Sequence, residues 1–166
     1  KFATLIVPFC QDSERRFKEV GLTNVWKTIW LGLDLDIWKP MDMQQYPKVK
    51  ASLGFSDSTF NIVMVQANQR RKYIRESLEG IQHFIKAYPQ ANTRVYFHTH
   101  TQGERNLALD LQELGLESIV SFPDAYQLAM GGLPEAYMAL IFGAADVVLN
   151  VTMEGLGLSH SQAQAC

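Results

Sequence analysis

Two stretches of this chain carry residue types whose spacing suits chemistry: the basic run Arg70-Arg71-Lys72 and the acidic glycine turn Glu154-Gly155-Leu156-Gly157. Cations at a strand end, just ahead of a helix, make an anion clamp, because each charge-assisted hydrogen bond contributes roughly 1.5–3 kcal/mol. A glycine turn between strand and helix makes a second anion site. Glycine lets a ligand approach the backbone, and the first N–H groups of a helix have no partner inside it. The apolar run 147–149 supplies that strand, buried on both faces, and the small-residue run 159–166 supplies a tightly packed helix. Taken singly, one stretch also reads as a solvated charge run and the other as an ordinary turn. Their ending two strands on one sheet edge favours a cleft.

Glu154 and Gln162 flank the glycine turn, eight positions apart. On a helix that separation is about 12 Å at roughly 1.5 Å per residue, an upper bound close to the length of a sugar plus a diphosphate. Other candidates are weaker. Asp34-Leu35-Asp36 has the spacing of a metal-binding acidic pair but lies in a connector, where chance matches are common. His98 and His100 would share a strand face and a metal if the strand extends that far, but no neighbouring carboxylate or cysteine completes a set. A hydrogen-bonded loop pair is the better reading. Cys10 lacks a local histidine and reads as a small buried residue. Neither a Gly-x-Ser-x-Gly elbow nor a P-loop nor a dinucleotide glycine fingerprint occurs, which disfavours those three classes.

These residues need a scaffold, and 166 residues with 47% apolar content can build one domain of ordinary size. A net charge of −2 predicts no general attraction to nucleic acid or anionic lipid. Cys10 and Cys166 are too few for a disulfide framework and suit a reducing compartment, with one bridge left open. No stretch has the length of a membrane span. The chain opens at Lys1 directly into an apolar run and stops at Cys166 inside an expected helix, which predicts a fragment of a longer protein.

Residues 2–7 read as a strand ended by Pro8. Asp12 or Ser13 caps a short helix running to Val20, with Gly21 as its stop. Residues 25–30 are a second β-like run, and 31–40 a connector into a polar stretch containing Pro47. A composition shift near 38–48 marks a domain boundary. Beyond it the pattern is regular. Strand 60–65 leads to a polar loop, then Ile74, Leu78, Ile81, Ile85 and Tyr88 share one helical face that Pro89 ends. Strand 95–97, helix 106–114 with Gly115 after it, strand 119–122 and helix 134–142 follow. Such β-α units with solidly apolar strands predict an α/β fold, a Rossmann-like parallel sheet with helices on both faces. Ligands then bind beyond the carboxyl ends of the strands.

The order of these motifs resembles the family-4 type of GT-B glycosyltransferases, retaining enzymes that use nucleotide-sugar donors. Residues 29–40 are similar to their interdomain signature, and 68–72 to their basic donor-domain loop. Ala144-Ala145-Asp146-Val147 with Glu154-Gly155-Leu156-Gly157-Leu158 is similar to their most specific motif. The resemblance implies the C-terminal half of a GT-B fold: residues 1–38 as the end of the acceptor-side domain and connector, 39–166 as a truncated donor-binding domain. It implies Lys72, Arg71 and Glu154 as catalytic residues, the first two on the donor diphosphate and the third on sugar hydroxyls. The N–H groups of Gly155, Leu156, Gly157 and Leu158 would hold phosphate and sugar, and Gln162 the ribose. The loop carrying Phe122 and Tyr126 would face the base, with Tyr126 stacking on it.

Two positions depart from the pattern. The family has glutamate where this chain has Gln162, a neutral acceptor weaker by about 1 kcal/mol, and many relatives carry arginine where this chain has Ala67. The implied function is transfer of a hexose from a UDP- or GDP-sugar to an unknown acceptor, without metal or other cofactor and without nucleic acid. The fragment alone would be inactive. A non-catalytic nucleotide-sugar-binding module, or an epimerase or phosphorylase of the same build, stays open. The expected setting is the cytoplasm, with membrane contact through the missing domain also open.

Overall fold

A computed structural model describes residues 3–154 and 157–166. They divide into two compact units, Lys1–Asp34 and Leu35–Cys166.

The first unit holds helix α1 (Gln11–Glu19) and one isolated parallel bridge, Ile6 to Val25. The two strands expected at 2–7 and 25–30 are therefore not formed among the described residues, and Phe2 lies outside them. Pro8 has no N–H to donate the next rung, so after Ile6 donates to Asn24 O and Trp26 to Ile6 O the regular ladder breaks, and a further bond runs from Ile29 N to Pro8 O. The helix begins earlier than expected. Cys10 is its cap, with Sγ accepting from the Ser13 N–H, and is not the buried residue the sequence suggested. Gly21 takes a φ of +85°, a left-handed stop that a Cβ would resist.

The second unit is the α/β body. Helix α2 (Tyr46–Ser52) occupies what reads as a polar stretch, because Pro47 falls in its first turn, where the missing N–H costs nothing. Then come β1 (Phe60–Val65), a 3-10 turn (Arg70–Lys72), α3 (Ile74–Ala87), β2 (Thr93–His98), α4 (Leu107–Leu114) and β3 (Val120–Ser121). Helix α5 (Ala125–Ala129), unanticipated, is capped by Asp124, whose Oδ1 accepts from the N–H groups of Tyr126 and Gln127. Helix α6 (Glu135–Gly143), β4 (Val147–Val148) and α7 (Leu158–Ala165) complete it.

The four strands are all parallel, in the order β3-β2-β1-β4. One face buries Ile62, Met64, Val95, Phe97 and Val120 against Ile74, Leu78 and Ile81 of α3 and Leu107 and Leu111 of α4. Tyr88, expected on that helical face, is exposed at the end of α3. The alternate residues Asn61, Val63 and Tyr96 are buried on the other face. Strand β4 pairs only with β1 among the described residues, so Val147 is exposed instead of buried on both faces. Helix α7 likewise buries no residue fully, contrary to the tight packing its small residues suggested.

Side chains extend the short β4 ladder at both ends. Asp146 Oδ2 accepts from Asn61 N at 2.7 Å, and Asn150 Oδ1 from Val65 N at 2.8 Å. That registration sets where the next loop leaves the sheet. From β1 the chain crosses to β2 on one side, while β4 lies on the other. The carboxyl ends of β1 and β4 thus form a topological switch point, where open α/β sheets place ligands.

Candidate functional site

The loop after β1 turns sharply. Arg70–Lys72 form a single 3-10 turn, and Tyr73 follows in a left-handed conformation at φ +46°. This brings Lys72 under the rim with its side chain 11% exposed, while Arg71 stays at the surface. The loop after β4 comes to meet them. Met153 N donates to Arg71 O at 3.1 Å, and Tyr73 OH contacts Met153 Sδ at 2.7 Å. Glu154 closes the contact: its Oε1 accepts from Lys72 Nζ at 2.6 Å and pairs with the Arg71 guanidinium. The Lys72 ammonium, and then the Arg71 guanidinium, hold the Glu154 carboxyl below its usual range against the opposing effect of burial. Two cations and one carboxylate therefore converge at the switch point. A groove of about 620 Å³ lies beside them, lined by Gln69, Arg70, Arg71, Tyr73, Glu104 and Met153.

The other residues singled out from sequence are placed as follows. Gly155 and Leu156 lie outside the described residues. Gly157 precedes α7, and a Cβ there would collide with the His160 ring, so a larger residue would need that imidazole to move. Leu158 opens α7 and is partly exposed. The first bonds of the helix run from His160 N and Ser161 N to Gly157 O, which leaves the N–H groups ahead of them outside its ladder. Gln162 sits one turn along, partly buried. Tyr126 stands exposed on α5, whereas the Phe122 ring packs on Phe97 with centroids 5.8 Å apart. No group of three or more metal-ligating side chains occurs among the described residues.

Several residues at this rim escaped the sequence reading. Asn68, buried between loops, donates to the carbonyls of His100 and Arg105 and accepts from Arg105 N. Glu104 accepts from Arg70 N at 2.7 Å. Together they tie the loop after β2 to the cation loop. Their partners lie more than 30 positions away in sequence, so no local signal marks them. Gln66, Gln69, Thr99 and Thr152 each carry a buried polar atom with no partner among the described residues. All four follow the carboxyl ends of β1, β2 or β4. A buried unpaired group costs roughly 1–3 kcal/mol, a debt commonly carried where a ligand or water completes the site.

No protein-family model matches the chain, and no curated protein does. Solved structures do. HepE of Anabaena in complex with UDP-glucose superposes with a TM-score of 0.76 at 19% identity, covering 100% of this chain and 43% of HepE. The C-terminal domain of LpcC, a group 1 family glycosyl transferase of Francisella tularensis, gives 0.61 at 17% identity, covering 81% of this chain and 66% of that domain. WaaG, a glycosyltransferase involved in lipopolysaccharide biosynthesis, gives 0.73 at 16% identity, covering 95% and 40%. The chain thus spans less than half the length of HepE and WaaG. It has the fold of the C-terminal domain of GT-B glycosyltransferases, a Rossmann-like parallel sheet.

Proposed function

We propose that this chain is the donor-binding part of a retaining glycosyltransferase, holding a UDP- or GDP-hexose at the β1/β4 switch point. The observation that carries this reading is the meeting of Lys72, Arg71 and Glu154 at the rim of a GT-B donor-domain fold. The diphosphate would take the two cations and the N–H groups at the start of α7 that lie outside its ladder. Glu154, released from them, would turn to the hydroxyls of the transferred sugar. In the reaction, the bond from the sugar C1 to the diphosphate oxygen breaks and a bond from C1 to the acceptor oxygen forms on the same face. The acceptor proton passes to the departing phosphate. Charge grows on the leaving diphosphate, and preorganised cations and backbone dipoles stabilise charge of that kind without a metal ion.

Gln162 favours a second reading, a nucleotide-sugar-binding module without transfer, because a neutral amide holds a ribose hydroxyl less firmly than a carboxylate. Titration with UDP, GDP and their sugars tests the first step. Binding that depends on Lys72 supports the donor site, and failure of all four ligands to bind rejects it. Transfer or donor hydrolysis by the full-length protein then separates the enzyme from the module.

A further inference from the structure

Strand β2 ends at His98, which is in register with Val65, the last residue of β1. The ring therefore stands at the carboxyl rim, one strand over from the loop that carries the clamp. It shares a sheet face with Tyr96, opposite the core residues Val95 and Phe97. Tyr96 in turn pairs with Ser121 at the end of β3, where the chain leaves for α5, which bears Tyr126. Tyr96 OH lies 3.2 Å from His98 Nδ1, and the two rings are tilted with centroids 6.1 Å apart. The Nε2 of His98 has no partner among the described residues, and the ring is only partly covered.

The tautomer follows from the partners. Burial, helped by Tyr137, pushes the Tyr96 phenol up to about 12, so it keeps its proton and needs an acceptor. Among the described residues Nδ1 is the acceptor it has. Burial, and then His100, lowers the His98 pKa, so the imidazole stays neutral and carries its hydrogen on Nε2. The result is a fixed, uncharged N–H donor between the diphosphate clamp and the Tyr126 segment. Such a donor suits a neutral oxygen acceptor and adds nothing to the charge already facing a phosphate.

We infer that His98, oriented by Tyr96, is a base-recognition residue of the donor site, its Nε2–H donating to a carbonyl oxygen of the nucleotide's base. This rests on the donor-site reading above. The test is calorimetric titration of the wild-type chain and the His98→Phe, His98→Gln and Tyr96→Phe variants with UDP, GDP and inorganic pyrophosphate. For the nucleotide that the wild type binds, H98F should weaken affinity about 5- to 10-fold, the size of one neutral hydrogen bond, while leaving pyrophosphate affinity unchanged. H98Q, which restores an N–H donor, should recover part of the loss, and Y96F should show an intermediate one. Should H98F fail to fold, the other two variants decide. Nucleotide affinity undiminished in the variants, or lost in equal measure with pyrophosphate, overturns this inference alone. A wild type that binds pyrophosphate but neither nucleotide, or none of the three, overturns the donor-site reading and this inference together.

Discussion

Lys72 is a charged group held beneath a rim, and Glu154 is the carboxylate that makes that placement tolerable. A buried ammonium without a partner would be costly. On the proposed donor-site reading, the same carboxylate holds the cations that a diphosphate oxygen would take, so ligand and protein would compete for them. Lys72→Met is expected to lower affinity for the proposed UDP- or GDP-sugar donor by about 10- to 100-fold, the range of one charge-assisted bond, read by calorimetry. Glu154→Gln should separate the two parts of the ligand. Pyrophosphate should bind several-fold more tightly once the competing charge is gone, while the gain that a sugar-bearing donor shows over the bare nucleoside diphosphate should shrink. The sign with pH follows from the direction of the shift. With its folded pKa below the ordinary glutamate value of 4.5, the Glu154 contact is present above that value and is lost as pH falls through the lowered one. The E154Q advantage for pyrophosphate should therefore stay level across neutral pH and disappear in acid.

Loops become precise when several elements share one fastening. Asn68 joins the loop after β1 to the loop after β2, and Gly103 lies against it: a Cβ there would sit 2.8 Å from the Asn68 side chain and carbonyl. Gly103→Ala is expected to cost about 1–3 kcal/mol, as overpacking does, and to lower the midpoint of thermal unfolding by several degrees. A second fastening runs through Asp110 on α4. It accepts from Arg105 at 2.6 and 2.7 Å and from Arg75 of α3 at 3.0 Å. Arg105, and next Arg75 against the cost of burial, hold the Asp110 carboxyl below its ordinary value of 3.8. Its contribution to stability is thus full above that value and fades as pH falls through the lowered one. Denaturation of wild type and Asp110→Asn across acid pH should show their difference shrinking in that window.

The core around Met64, Phe97, Leu78 and Leu107 and every described site residue fall within Leu35–Cys166. That segment expressed alone should unfold in one cooperative transition and still bind the nucleotide that the whole chain binds. Loss of either property would tie the site to residues 1–34.

From residue order alone, the parallel α/β body was readable, because apolar strands and the Ile74, Leu78, Ile81 face repeat with periods that local geometry imposes. The cation run and the acid that meets it stood out in the sequence as well, since each lies within a few consecutive positions, while the glycine turn beside them falls partly outside the described residues. Short helices were not. Pro47 in a first turn and Asp124 as a cap give brief signals that resemble loops. Nor was the fate of residues 2–7 and 25–30 legible, since an apolar run becomes a strand only when a neighbour supplies a ladder. Only the tertiary structure decided that Arg71 meets Glu154 across 83 positions and that Asn68 clasps Arg105 across 37. Contacts of that kind depend on which strands lie side by side, and strand order arises from the folded chain as a whole, with no trace in any local stretch of it.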